Sequence, residues 1–284
     1  MPALIFDCDG VLADTERYGH LPAFNQVFEE FGLPVRWSED DYAVKVLISG
    51  GKERLASLLT PEFVAEAGLP VDEAGQREAV AAWHKRKTQI YTELVATGAL
   101  PARPGIRRIV EEAAAAGFDL AVASTSAEPS VRAVLEHAVG PELAARFHVF
   151  AGDIVPAKKP SPDIYLLALR EIGVPASEAI VVEDSANGLR AAVAAGIRTI
   201  VTVSSYTENE DFTGAQLVVS SLGEPATAPG GPVPAAVLAA ASGIVPDGFV
   251  DVGVLRAVLA APPPPASGPT TTASAAPAPD QEDV

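Results

Sequence analysis

The chain opens with an apolar run, Leu4-Ile5-Phe6, that leads directly into Asp7-Cys8-Asp9-Gly10-Val11, two carboxylates one residue apart. If Ala3 to Asp7 is a buried strand, its side chains alternate between faces. Asp7 and Asp9 then project to the same side where the strand ends, and Gly10 lets the backbone turn away. Open α/β sheets bind ligands beyond the carboxyl ends of their strands, so this stretch sets paired acids at a ligand site. Unpaired carboxylates there are costly, which requires a cation, a ligand or both. The pair suits a division of labour: one carboxylate attacks a phosphorus atom to form an aspartyl-phosphate, while its neighbour moves a proton. An Asp-Gly turn with solvated acids explains the same four letters, so the decision falls to partners further along the chain.

From Asp14 to about Val95 helical spacing replaces strand-like runs. Phe24, Val27, Phe28 and Phe31 recur at three- and four-residue steps, with Gly32 closing that helix. A segment from Tyr42 to Leu47, a helix opened by Ser49-Gly50-Gly51-Lys52-Glu53-Arg54, and a long run from Glu73 to Val95 with Trp83, Ile90 and Leu94 on one side follow. After Pro101 and Pro104 strands and helices alternate. Strands are expected at Asp119 to Ala123, Val149 to Ala151, Ile180 to Glu183, Thr199 to Val203 and Leu217 to Val219. Helices are expected at Ile106 to Ala116, Glu128 to Ala138, from Ser161-Pro162-Asp163 onward, and Asn187 to Ala195. This alternation predicts an α/β fold with a doubly wound, largely parallel sheet, residues 1–14 and 98–223, and a helical cap inserted over residues 15–97. Residues 224–284 are rich in Pro and Ala, and are expected to be largely disordered apart from a short helix near 250–259.

Three more polar clusters fall at expected strand ends. Ser124 follows Leu120-Ala121-Val122-Ala123, where a hydroxyl and the amides of the turn through Thr125 and Ser126 can hold a phosphoryl oxygen. Lys159, before Pro160, is placed to neutralise a phosphate and a nucleophilic carboxylate together, although Lys158 beside it offers a second candidate. Glu183-Asp184 ends the run Ile180-Val181-Val182 and adds two carboxylates to the cluster begun by Asp7, a density of hard oxygen ligands that suits Mg²⁺. Each signal has a bland reading as cap, solvated lysine or helix N-terminus. Together they supply nucleophile, oxygen holder, cation and metal ligands, the parts phosphoryl transfer needs.

Composition closes other routes. With 20 basic against 37 acidic residues the net charge is −17, which argues against nucleic acid or an anionic membrane as partner. Cys8 is the only cysteine, so no intrachain disulfide can form; flanked by two acids, it reads as a buried strand residue rather than a nucleophile. Neither a charged leader with an apolar core nor a membrane-length apolar run is visible, and a cytoplasmic, monomeric protein is expected.

The ordered set Asp7-Cys8-Asp9-Gly10, Ser124, Lys159-Pro160 and Glu183-Asp184 resembles the four motifs of the haloacid dehalogenase superfamily, and the helical insert resembles the cap of its phosphatase and phosphoglucomutase branch. The resemblance implies Asp7 as nucleophile, Asp9 as general acid/base, Ser124 as phosphoryl holder and Lys159 as cation. It implies Mg²⁺ among Asp7, Asp9 (through its backbone carbonyl), Glu183 and Asp184. Within the cap, Asp14-Thr15-Glu16, His20, Phe24-Asn25, Trp37, Tyr42 and Gly50-Gly51-Lys52-Glu53-Arg54 are similar to the CbbY proteins, which remove a phosphate from xylulose 1,5-bisphosphate. That likeness implies substrate contacts from Glu16, His20, Tyr42, Gly50, Gly51, Lys52 and Arg54, together with Thr125 and Ser126 of the core. Lys52 and Arg54 are expected to hold a second, non-reacting phosphate. A small phosphorylated sugar is the expected substrate. Transfer of the phosphoryl group to a sugar, as in β-phosphoglucomutase, is the alternative, and a silent phospholigand sensor is disfavoured because Asp7 and Asp9 are both present.

Overall fold

A seven-stranded sheet in the order β3-β2-β1-β4-β5-β6-β7 forms the centre of the molecule in the computed structural model, which describes residues 1–48, 50–97, 100, 102–241 and 243–263. Its strands are β1 (Ala3–Phe6), β2 (Asp119–Ser124), β3 (Phe147–Ala151), β4 (Ala179–Glu183), β5 (Arg198–Thr202), β6 (Leu217–Val219) and β7 (Val237–Ala240). The first six pair in parallel and only β7 is antiparallel. The chain builds β2 and β3 on one side of β1, then β4 to β6 on the other, so the order reverses at β1. Ligands of open α/β sheets bind at such a reversal.

Ten helices of the described residues precede or connect these strands: α1 (Leu21–Glu30), α2 (Glu39–Lys45), α3 (Gly51–Ala56), α4 (Pro61–Glu66), α5 (Glu73–Ala96), α6 (Ile106–Ala115), α7 (Glu128–Val139), α8 (Pro141–Ala144), α9 (Asp163–Ile172) and α10 (Ala186–Ala194). An eleventh, α11 (Val252–Ala260), follows β7. Both sheet faces are covered, which is why the strands read as continuous apolar runs. Leu4 and Phe6 of β1 face one core with Ile109 of α6, Val134 of α7 and Leu255 of α11. Ala3 and Ile5 face the other with Tyr165 and Ala168 of α9 and Ala191 of α10.

Between β1 and β2 the chain runs through a π-helical turn at Glu16–His20 and then α1 to α5. This helical segment has an aromatic centre in which Trp37 meets Phe28 edge-on at 4.8 Å and Phe24 at 5.1 Å. Ser38 and Asp41 form a reciprocal capping box that starts α2. Phe31, read from its spacing as part of the buried face, is instead exposed one residue past α1, where Gly32 turns the chain.

The structure corrects two further expectations of the fold. Helix α9 begins at Asp163 with Pro162 at its cap, and the Ser161 hydroxyl bonds Asp163 Oδ1 rather than capping the helix. The second correction concerns the stretch after residue 223. Its described residues, 224–241 and 243–263, are built into the fold. Ala235 N donates to Gly248 O at 2.7 Å and Val250 N donates to Leu222 O at 2.8 Å, while α11, the short helix expected near 250–259, buries Leu255 and Val258 against the sheet. Arg108 donates to the carbonyls of Gly223 and Val250, both at 2.9 Å, and Arg198 donates to Ala261 O at 2.7 Å. Low-complexity composition misleads here because core arginines, rather than the segment's own side chains, supply much of its anchorage. The expected disorder of residues 264–284 lies outside the described residues.

Candidate active site

The carboxyl ends of β1, β2 and β4 converge on one buried cluster. Asp7 follows β1 directly, its N–H still bonded to Val182 O at 2.9 Å, so its side chain leaves the sheet in a fixed direction. Lys159 reaches in from the loop between β3 and α9. Its Nζ donates to Asp7 Oδ1 at 2.6 Å, Glu183 Oε1 at 2.6 Å and Ala123 O at 3.0 Å, which uses all three ammonium protons. Burial disfavours that charge, but Asp7 and Glu183 hold the lysine well above its ordinary pKa. Lys158 points elsewhere, so the ambiguity between the two lysines is resolved by geometry.

Glu183 is fully engaged. Besides Lys159, its Oε1 accepts from the Tyr165 hydroxyl at 2.6 Å, and its Oε2 accepts from Asp184 N at 3.1 Å and from the Ser185 hydroxyl at 3.3 Å. Asp184 is different. It is buried, and burial together with Glu183 and Asp7 pushes its carboxyl well above the usual range. Asp7 shifts the same way, driven by burial first, against the pull of Lys159. One oxygen from each of Asp7, Glu183 and Asp184 lies within 4.8 Å of the others. Three buried carboxylates share a single ammonium, and all donors are hard oxygens, a set that fits Mg²⁺. Two glycines make room for it: a Cβ on Gly10, at φ +77°, would overlap the Asp184 carboxylate, and one on Gly188 would overlap that of Glu183.

Asp9, expected to meet Mg²⁺ through its backbone carbonyl, turns its carboxylate away from this group. Oδ1 accepts from the Thr15 hydroxyl at 2.6 Å and faces His20 Nε2 at 2.9 Å, while Oδ2 accepts from the Ser126 hydroxyl. Burial opposes its ionisation, but His20, Ser126 and Thr15 together outweigh burial and hold it far below the ordinary carboxylate range. Lys87 Nζ lies 2.6 Å from His20 Nδ1. Lysine has only donors, so Nδ1 accepts and the ring proton sits on Nε2, aimed at Asp9. Both His20 nitrogens and the Ser126 hydroxyl thus serve Asp9, although their residues also line the cavity. Lys87 is not among the expected site residues; its sequence signal is a lysine four residues after buried Trp83 and three before buried Ile90, on the apolar side of α5.

A cavity of about 380 Å³ opens between this cluster and the helical segment, lined by Asp7, Asp9, Ser124, Lys159 and Asp184 from the core. Ser124 Oγ accepts from Ser126 N at 3.1 Å, which leaves its own proton for a ligand. Glu16, Gly50, Gly51, Lys52, Arg54 and Thr125 also line it, as does His84, which sequence reasoning did not single out. Tyr42 does not. It is fully buried among the aromatic residues, and its hydroxyl is bonded to Glu16, so its expected substrate contact is corrected to a structural one. Arg54 pairs with both oxygens of Glu16 at 2.9 and 3.0 Å and also donates to the Tyr42 hydroxyl, Ile48 O and Val46 O. All five of its N–H groups are engaged. Cys8 is buried, and burial followed by the charges of Asp9 and Asp7 pushes its thiol pKa up, as expected of a strand residue rather than a nucleophile.

A mostly parallel sheet with paired acids after its central strand and a lysine and acids at neighbouring strand ends defines a class, and comparison with known proteins gives the same one. Residues 1–196 match the haloacid dehalogenase-like hydrolase family, and the chain belongs to it. Within that family it is similar to the CbbY proteins. A CbbY-like protein of Arabidopsis thaliana is 47% identical over 78% of this chain and 70% of its own, and protein CbbY of Cupriavidus necator is 43% identical over 80% and 87%. Among solved structures, CbbY from Rhodobacter sphaeroides in complex with phosphate superposes with a TM-score of 0.68 at 41% identity, covering 78% of this chain and 95% of that one. A mutant of the same protein, with the same TM-score, identity and coverage, has been solved in complex with xylulose-(1,5)bisphosphate.

Proposed function

We propose that this protein is a Mg²⁺-dependent phosphatase of small sugar phosphates, with xylulose 1,5-bisphosphate as substrate, that works through an aspartyl-phosphate on Asp7. The observation that carries the reading is the joint placement of Asp7, Lys159, Glu183 and Asp184 at the sheet reversal with Asp9 and Ser124 beside them, in one cavity. The complex of the Rhodobacter protein with xylulose-(1,5)bisphosphate supports the choice of sugar. The helical segment over residues 15–97 acts as the cap that closes on the substrate.

Asp7, Glu183 and Asp184 would hold Mg²⁺, which when bound offsets the carboxylates' charge and polarises the phosphoryl group. Lys159 orients Asp7 and neutralises charge on the transferring group, and the Ser124 hydroxyl donates to one of its oxygens. A carboxylate oxygen of Asp7 attacks phosphorus and the P–O bond to the sugar breaks; Asp9, held ionised in the resting site by His20, Ser126 and Thr15, first exchanges one of these donors for a proton from solvent and then passes that proton to the departing oxygen. Asp9 then takes a proton from water as that water attacks the acyl phosphate, releasing inorganic phosphate and restoring Asp7. The Lys87–His20 pair with Thr15 and Ser126 keeps the Asp9 carboxyl facing the cavity through both steps. The test is phosphate release from a panel of sugar phosphates. Wild-type protein is expected to release inorganic phosphate and D7N is expected to release none while still binding substrate. A retained sugar bisphosphate without free phosphate would assign the mutase instead, and wild-type turnover by pure D7N would overturn the mechanism.

A further inference from the structure

Beside the cavity a chain of four alternating charges, Glu53, Lys158, Asp153 and Lys52, joins the helical segment to the core. Lys52 and Glu53 come from the first turn of α3, Asp153 and Lys158 from the loop between β3 and α9. Lys158 Nζ lies 2.9 and 3.0 Å from the two Glu53 oxygens and 3.3 Å from Asp153 Oδ1, and Lys52 pairs with Asp153 Oδ2. Only Lys158 of the four is mainly buried, with its side chain 20% exposed. Gly50 makes that approach possible: at φ +100° it precedes α3, and a Cβ there would lie 2.7 Å from Lys158 Nζ and overlap Glu53. The wall beside it is cationic in character. His84 is held neutral, its pKa pushed down to about 4 by burial and then by Lys87, Lys52 and Lys158.

Resting on the phosphatase reading, we infer that Lys158, together with Lys52, selects for a second phosphate on the substrate, and that it does so by exchanging its carboxylate partners for that phosphate. Three arguments carry this. Arg54, the other cation α3 brings to the cavity, has no N–H to offer without giving up Glu16, Tyr42 or a carbonyl. The carboxylates that Lys158 and Lys52 now hold are roughly half exposed, so these ion pairs are weak and the acids lose little on returning to water. A phosphate dianion brings more charge and three acceptor oxygens to the same two ammonium groups, which favours the exchange. Two consecutive lysines then divide the substrate between them, Lys159 serving the reacting phosphate and Lys158 the remote one. Because one ligand would bridge α3 and the core loop, a bisphosphate would also hold the cap closed.

The experiment measures kcat/KM of wild type, K158Q and E53Q on xylulose 1,5-bisphosphate and on a small aryl phosphate, which has no second phosphate. K158Q is expected to lose about 10–100-fold on the bisphosphate and no more than about 3-fold on the aryl ester, with a melting temperature near that of wild type. E53Q keeps the lysine charge and removes its competitor, so its KM for the bisphosphate is expected to fall or hold. Equal losses by K158Q on both substrates, or a loss in E53Q matching that in K158Q, would show the chain of charges to be a structural latch and overturn the inference. If wild type hydrolyses neither substrate, the phosphatase reading fails first; if it hydrolyses both and K158Q leaves their ratio unchanged, only the role of Lys158 fails.

Discussion

Lys87 is a charge the fold would be better off without, and its replacement by methionine gives a signed, quantitative test of the site. The ammonium is buried in α5 against the rings of Phe24 and Tyr91, at 4.7 and 5.0 Å, with His20 Nδ1 as its hydrogen-bond partner. Burial lowers its pKa from 10.5 to about 8, against the opposing attraction of Glu16 and Asp9. At about 1.4 kcal/mol per pH unit, keeping the group charged at pH 7 costs the folded state roughly 3 kcal/mol. Lys87→Met retains most of the side chain's apolar length, removes that cost, and leaves His20 Nδ1 without a donor, a loss of about 1–3 kcal/mol. The variant should therefore be as stable as wild type at pH 7 or up to about 2 kcal/mol more stable.

The pH dependence fixes the sign. A lysine whose pKa is depressed in the folded state binds fewer protons folded than unfolded between about pH 8 and 10.5. Wild-type stability therefore rises across that window relative to the variant, by roughly 3 kcal/mol in all, and the difference is flat below pH 8. Urea unfolding of both proteins from pH 7 to 10.5 measures it, and taking the difference cancels every other titration the two share. A difference independent of pH, or a variant more than about 2 kcal/mol less stable at pH 7, would refute the account. The variant's kcat should fall even so, because His20 loses the partner that fixes its tautomer and with it the placement of Asp9.

Other changes test other parts of the structure. Asp184→Asn removes a buried carboxylate whose burial and acidic neighbours outweigh the attraction of Arg103, so the metal-free protein should melt higher than wild type while the rise in melting temperature on adding Mg²⁺ disappears. Gly188→Ala forces a methyl group into the Glu183 carboxylate and should cost about 1–3 kcal/mol, read by denaturation, with Lys159 displaced and activity lost. Truncation after residue 223 strips Val250, Leu255 and Val258 from the core and leaves Arg108 without the Val250 carbonyl. At about 1.5–3 kcal/mol per buried aliphatic side chain, the truncated protein should fail to fold stably.

What was legible in the sequence was whatever repeats at short range. The period of two through Leu4 to Asp9, the apolar run ending at Glu183-Asp184 and the Gly-closed helices predict the sheet, and with it the convergence of Asp7, Ser124, Lys159 and Asp184. Side-chain partnerships across long stretches of chain have no such signature. Arg54, Glu16 and Tyr42 satisfy one another over separations of 38 and 26 residues, and a cation beside two glycines reads as a ligand for phosphate until those partners are seen. Lys87 was hidden because one lysine in a helix is ordinarily solvated. Strand β7 was hidden because Val237-Leu238-Ala239-Ala240 is short, set among prolines and glycines, and exposed, so its place comes from pairing with β6 rather than from burial.

The distribution of charge decides the order in which this site can be filled. The chain carries a net −17, and three buried carboxylates, Asp7, Glu183 and Asp184, share one ammonium, Lys159, at the reacting end of the cavity. A phosphate dianion entering that end first would meet repulsion in a buried setting where charges are poorly screened. The three other lysines along the cavity do not relieve it equally. Lys87 faces His20, while Lys52 and Lys158 hold carboxylates they can release to solvent. A bisphosphate can therefore be held by its remote phosphate against Lys52 and Lys158 before its reacting phosphate is accepted beside Asp7, and a monophosphate lacks that foothold. Selectivity for bisphosphates then follows from how the acidic core excludes anions as much as from how the lysines attract them.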